Sequence, residues 1–135
     1  AFSITYQRLI YRSEKVFSLD WGASVTAFQS ELTSENVMAF SIFPVLRFYL
    51  LRKKEFDFYA NYSLIGPTYI TKSNMDGFES GPKITYQDTM GFGVFFGKDR
   101  KYNFELRIMH YSNGNIFTGN DGVAVPLQIT LGKTF

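Results

Sequence analysis

The sequence predicts an all-β protein, an antiparallel transmembrane β-barrel of the small eight-stranded type. Three observations carry this. Apolar and polar residues alternate with period two along most of the chain, the alternating segments are long, and the connections between them are alternately short and long. All 135 residues are read as a single domain, 1–135, because no shift of composition or linker divides them.

The segments justify that reading in order. Strand 2–12 leads into a short turn at Arg12–Lys15. From Phe17 the odd positions Leu19, Trp21, Ala23, Val25 and Ala27 are apolar, and the even ones Ser18, Asp20, Gly22, Ser24 and Thr26 are small or polar; Phe28 alone breaks the pattern. Segments 37–51, 56–71 and 83–96 are more apolar throughout, with an apolar even face. In Lys101–Ser112 the residues Tyr102, Phe104, Leu106 and Ile108 oppose Lys101, Asn103, Glu105 and Arg107. The last segment, 123–135, alternates Leu127, Ile129, Leu131 and Phe135 with Gln128, Thr130, Gly132 and Thr134. Seven strands and no helix result.

Alternation alone does not say which face is inside. A soluble lipocalin-like barrel would put the apolar face inward, whereas an outer-membrane barrel puts it against lipid and lines its lumen with polar groups. Strand length decides for the membrane, since about 9–11 tilted residues cross the hydrocarbon and globular strands average about 5–6. An aromatic content of 19% points the same way, toward a lipid-facing surface. Short turns at Arg12–Lys15, Arg52–Lys54 and Gly97–Arg100 then fall on the periplasmic side, and longer loops at Ser30–Asn36, Lys72–Pro82 and Asn113–Gly122 fall outside. This orientation starts Ala1 on the outer side, so an even-stranded barrel requires one further strand before it, and the expectation is that the first strand is missing from the sequence. Ala1 also leads directly into Phe2 without the basic start and apolar core of a secretory leader.

Composition excludes several chemistries. No Cys removes disulfides and thiolate sites, and one His makes a histidine-based metal site unexpected, so neither metal nor cofactor is assigned. A net charge of +2 with dispersed Lys and Arg gives no nucleic-acid surface. Glu105, Arg107, Asp20, Asn61 and Asn103 read as a lumen network, and Gly91, Gly93 and Gly97 as sites of curvature or close contact. Asp88 falls on the nominally apolar face of its strand, which suggests a rim position or a bulge. Lys72 and Lys83 read as solvated or able to meet lipopolysaccharide phosphates.

The apolar even series of 101–112 runs straight into His110 and Ser112. Residues i and i+2 share a face of a strand, so both project toward lipid beside the long loop. A base two residues from a hydroxyl is the pair used in acyl transfer, where imidazole takes the serine proton as the oxygen attacks a carbonyl. By spacing alone the blander reading is the stronger one: His110 and Tyr111 in an interfacial girdle, with Ser112 opening a turn.

The run Ile108-Met109-His110-Tyr111-Ser112-Asn113-Gly114, followed by Asn120-Asp121-Gly122, resembles the His-Tyr-Ser-Asn segment of the lipid A 3-O-deacylase (PagL-type, acyloxyacyl hydrolase-like) family. The similarity extends to Thr85–Gly93, Pro44–Phe48 and Leu64–Gly66, and it covers essentially the whole chain except the family's first strand. The resemblance implies an outer-membrane barrel with its site on the outside, near the outer leaflet. It implies an esterase that removes a 3-hydroxyacyl chain from lipid A, with Ser112 as nucleophile and His110 as general base. It also implies that Asn120 belongs to the oxyanion hole, with Gly114 as a second donor. The acid that completes the family's triad falls at Ala124 here. Asp121 is the expected substitute and Asn113 the weaker one, its amide acting as support. The implied partners are lipid A or lipopolysaccharide and the outer membrane, with a homodimer or larger membrane assembly left open. The competing expectation is a deacylase-like barrel that has lost catalysis and serves as a structural or accessory subunit.

Overall fold

The computed structural model describes residues 2–14, 16–29, 34–72, 74–75, 78–79, 82–114, 116 and 122–133. Its strands are β1 (Phe2–Arg12), β2 (Phe17–Gln29), β3 (Asn36–Arg52), β4 (Phe56–Ile70), the two-residue β5 (Asn74–Met75) and β6 (Phe78–Glu79), β7 (Ile84–Phe96), β8 (Tyr102–Ser112) and β9 (Val123–Lys133). Seven of them form one antiparallel sheet in the order β1-β2-β3-β4-β7-β8-β9. The small β5–β6 hairpin inside the long loop was not expected from sequence, nor was the 3-10 turn at Lys98–Arg100. Among the described residues β1 and β9 do not pair, so the sheet is open along these two edges. The lumen between them is a cavity of about 1190 Å³.

Burial decides which face is inside, and the answer is the inverse of a soluble protein. Along β2 the polar series Ser18, Asp20, Ser24 and Thr26 is buried, while Trp21 and Val25 are exposed. β8 repeats this, with Glu105 and Arg107 buried and Leu106 and Ile108 exposed. Leu131 is 78% exposed, and Ile129, Leu127, Phe92, Ile42 and Phe2 share that outer surface. An apolar surface this continuous suits hydrocarbon as solvent. No helix of the described residues is long and apolar enough to cross a membrane.

The lumen has two levels. Toward the short turns, Arg47 bonds to Asp20 and Gln7, Arg107 bonds to Glu105, and Tyr59 Oη donates to Glu105 at 2.5 Å. Arg47 also lies over the rings of Tyr59 and Phe95, at 5.5 Å to each centroid. Two guanidiniums and two carboxylates, all buried, therefore neutralise one another, as buried charges must. Gly93 makes room for this: a Cβ there would lie 2.5 Å from the Tyr59 ring and 2.7 Å from Glu105 Cγ. Toward the long loops the interior turns apolar, with Ala39, Ile70, Met109 and Tyr111 packed together. Phe28, the one break in the alternation of β2, packs against this cluster and stacks on Tyr111 at 5.9 Å.

Two of the sheet's bulges bear on the site, and the first corrects the even-face reading of 56–71. In β4 the pairing with β7 jumps between Ser63 and Gly66, and beyond it Pro67 and Tyr69 are exposed while Thr68 and Ile70 are buried. In β9 the pairing with β8 slips between Arg107 and Met109, so that Arg107 faces Gln128 and Met109 faces Val125. Pro126 lies in this irregularity, a place where a residue without an N–H is tolerated in a ladder.

Candidate active site

β8 carries His110 and Ser112 at its long-loop end. Alternation is unbroken from Tyr102, so both continue the outward series while Met109 and Tyr111 turn into the lumen. His110 is exposed and Ser112 half-buried. They share the face without a hydrogen bond between them among the described residues. Catalytic hydrogen bonds are often long before substrate arrives and tighten only in the complex, so this geometry is compatible with a base–nucleophile pair.

The register of the flanking strands fixes what surrounds the histidine. On one side His110 is opposite Asp88 of β7, with Ser112 opposite Tyr86 and Ile108 opposite Met90. On the other side His110 is opposite Ala124 of β9. The β9 bulge produces the second pairing. Strict alternation from the outward Leu127 would turn position 124 inward, but the extra residue restores it to the outer face, where Ala124 is exposed. A methyl group thus stands across from His110 at the place where an acid would meet it.

Asp88 is more than a stray charge on an apolar face. It lies opposite the β4 bulge, and its Oδ1 accepts the backbone N–H of Ile65 at 2.8 Å. Ile65 has φ 52, an outlier for a β-branched residue, whose branched Cβ is crowded in the left-handed region. The sequence signal was visible as an aspartate in an apolar series; the bulge that receives it belongs to the neighbouring strand and was not.

Beyond Ser112 the chain turns, and Ile116 N donates to Asn113 O at 3.1 Å. Asn113 is fully buried, in the inward series after Met109 and Tyr111 and therefore on the face opposite His110. That is not the face from which the imidazole projects. Gly114 has φ +61, is exposed, and has open space where a Cβ would stand. Gly122, with φ +70, lies against the imidazole: a Cβ there would be 2.6 Å from His110 Nε2. Asn120 and Asp121, the expected oxyanion donor and substitute acid, lie outside the described residues. Lys72, expected to be solvated, is ion-paired with Glu35 at 2.7 Å. Among the described residues no cluster of His, Cys, Asp and Glu has the makings of a metal site.

An inside-out small barrel with His and Ser on its lipid face is the setting in which comparison with known proteins becomes informative. The family model for lipid A 3-O-deacylase (PagL) matches residues 2–125. The chain belongs to the lipid A 3-O-deacylase family. The crystal structure of the outer membrane enzyme PagL has the same fold, with a TM-score of 0.78 over 98% of this chain and 87% of that one, at 15% identity. No curated protein matches the chain. Family and fold together make it a deacylase-like outer-membrane β-barrel, of a family whose members are ester hydrolases of lipid A. The match includes β8 and reaches just past Ala124.

Proposed function

We propose that the protein is an outer-membrane esterase that removes the ester-linked 3-hydroxyacyl chain of lipid A by Ser112/His110 chemistry. The observation that carries this reading is the outward projection of both side chains at the long-loop end of β8, on a surface that is largely apolar apart from Asp88 opposite His110. Polar groups facing lipid are costly, and a base–nucleophile pair there has access to a substrate that never leaves the membrane.

In the reaction Ser112 Oγ attacks the ester carbonyl carbon while His110 takes the hydroxyl proton. The carbonyl oxygen becomes an oxyanion, which the backbone at Gly114 and the side chain of Asn120 would receive. Collapse breaks the bond to the sugar oxygen, and His110 returns the proton to that leaving group. A water molecule, deprotonated by His110, then attacks the acyl-serine. The 3-hydroxy fatty acid departs and Ser112 recovers its proton. No metal or cofactor enters the scheme.

The test is mass spectrometry of lipid A incubated with the refolded barrel, with Ser112→Ala and His110→Ala in parallel. The expected result is loss of one 3-hydroxyacyl chain by the wild type and none by either variant; in a well-studied serine hydrolase such single losses cost on the order of 10⁶-fold in kcat. Lipid A left intact by all three proteins would refute the proposal. That outcome is the one a second reading expects, an inactive barrel kept as a structural or accessory subunit, alone or in a larger assembly. Ala124 opposite His110 is the observation in its favour.

A further inference from the structure

The row of outward residues across the site reads Asp88, His110, Ala124, one from each of three adjacent strands. The acid-bearing neighbour is on β7, and the β9 neighbour has no functional group. Resting on the esterase reading above, we infer that Asp88 is the positioning residue for His110, accepting a hydrogen bond from the imidazole and so replacing from the β7 side the acid that β9 lacks.

Three independent features support it. The first is register: directly opposed residues of an antiparallel pair have Cβ atoms about 4.5–5.5 Å apart, so a carboxylate and an imidazole with two rotatable bonds each can meet. No ion pair joins them among the described residues, so the contact requires rotation of one side chain. The second is the β4 bulge. Its amide at Ile65 holds Oδ1 of Asp88 at 2.8 Å, which fixes one oxygen of the carboxylate and leaves Oδ2 for the imidazole. A left-handed isoleucine kept for this purpose is strain of the kind that concentrates at functional sites. The third is the cost of the alternative: a half-buried carboxylate beside the Met90–Ile108 pair has one oxygen on the Ile65 amide and gains from a cationic partner for the other, and the only imidazole of the protein is across the strand gap.

The step requires no proton transfer to Asp88. It stays ionised, accepts the ring N–H remote from Ser112, selects the tautomer whose free nitrogen faces the hydroxyl, and stabilises the imidazolium formed when Ser112 gives up its proton. The groups around the ring are Asp88 and Tyr86 on β7, Ala124 on β9 and Gly122 just before it against Nε2, neither of which titrates, and Ile108 and Ser112 on β8 itself; Asp121, outside the described residues, is the rival acid.

Because the sequence has one histidine, its ring-nitrogen NMR signals are unambiguous. The experiment compares wild type, Asp88→Asn, Asp121→Asn, Ala124→Glu and Asp88→Asn/Ala124→Glu, refolded in detergent, by the nitrogen-15 spectrum of His110 and by kcat and KM on lipid A. Asn keeps an acceptor for the Ile65 amide, and Asp88→Ser is read the same way if Asp88→Asn does not refold. The expected result is that Asp88→Asn shifts the tautomer balance of His110 and lowers kcat at least tenfold with KM little changed. Adding Ala124→Glu restores both. An unchanged His110 spectrum in Asp88→Asn overturns the inference whatever happens to activity, and so does a spectrum that moves only in Asp121→Asn. A rise in KM alone assigns Asp88 to substrate contact and also overturns it. If the wild type releases no fatty acid, the esterase reading fails separately, while the spectra still decide whether Asp88 holds the ring.

Discussion

The two faces of β8 solve opposite problems with the same alternation. Inward, Glu105 and Arg107 are buried charges that satisfy each other and are joined by Tyr59 and Arg47 from distant strands. Outward, Leu106 and Ile108 need no partner because lipid is their solvent, and His110 and Ser112 end that series with groups that need one. The inner face is closed chemically and specifies the fold. The outer face is open at its long-loop end, and what it can do depends on residues lent by β7 and β9. Structure is held from within, and chemistry is offered from without.

That division breaks first, and most severely, at Glu105. Replacing it by Gln leaves the buried Arg107 and Arg47 without their shared counter-charge. Removing one partner of a buried ion pair costs about 3–5 kcal/mol. The expected outcome is a lower urea midpoint for the refolded barrel, with deacylation per folded molecule unchanged within a few-fold. If activity collapsed while the midpoint held, the two faces would not be independent.

A smaller effect is expected on the outer face of the same strand. Leu106, paired with Phe92 and Ile129, is already exposed, so Leu106→Arg would cost little in water. Against lipid, Arg costs about 2–4 kcal/mol near the bilayer midplane and less toward either interface. Unfolding from lipid vesicles and from a short-chain detergent should therefore give different penalties for this variant, larger in the vesicles. Equal penalties would mean that this surface does not face hydrocarbon.

The two faces were also unequally legible in the sequence. Period-two alternation placed all seven long strands, because each residue's side follows from its neighbour two positions away. It placed Glu105, Arg107, Asp20 and Asn61 inside, and His110 with Ser112 outside, by the same rule. What it missed are cases in which a second strand sets the answer. Nothing local to Asp88 says that the β4 bulge at Leu64–Ile65 lies opposite, and nothing local to Ala124 says that the β9 bulge turns it back toward His110. Phe28 looked like a flaw in β2 until Tyr111 of β8 supplied the ring it stacks on. Asn113 was assigned to the site by proximity in sequence, yet alternation continued one residue past Ser112 carries it inward. Register and bulges belong to pairs of strands, and a single strand's pattern does not contain them.

The smallest change separates backbone strain from site geometry. Gly122 and Gly97 both have positive φ, +70 and +81, so an alanine at either carries a backbone penalty, about 1–2 kcal/mol in the left-handed region and more at Gly97, whose ψ of 175 places it in a region used by glycine alone. Their surroundings differ. At Gly97, in the turn between β7 and β8, the new methyl would meet the edge of the Tyr102 ring at 3.0 Å, far from His110. At Gly122 it would stand 2.6 Å from His110 Nε2, and since the imidazole is the mobile partner, the ring must swing away. A misplacement of about 1 Å in a reacting group can cost as much as 100-fold in rate. Both Gly122→Ala and Gly97→Ala should therefore lower the unfolding midpoint, Gly97→Ala by more, while only Gly122→Ala lowers kcat beyond what the loss of folded protein explains. Equal kcat in the two would show that the position of His110 against Gly122 has no part in turnover, and the outer face would then owe its chemistry to β7 alone.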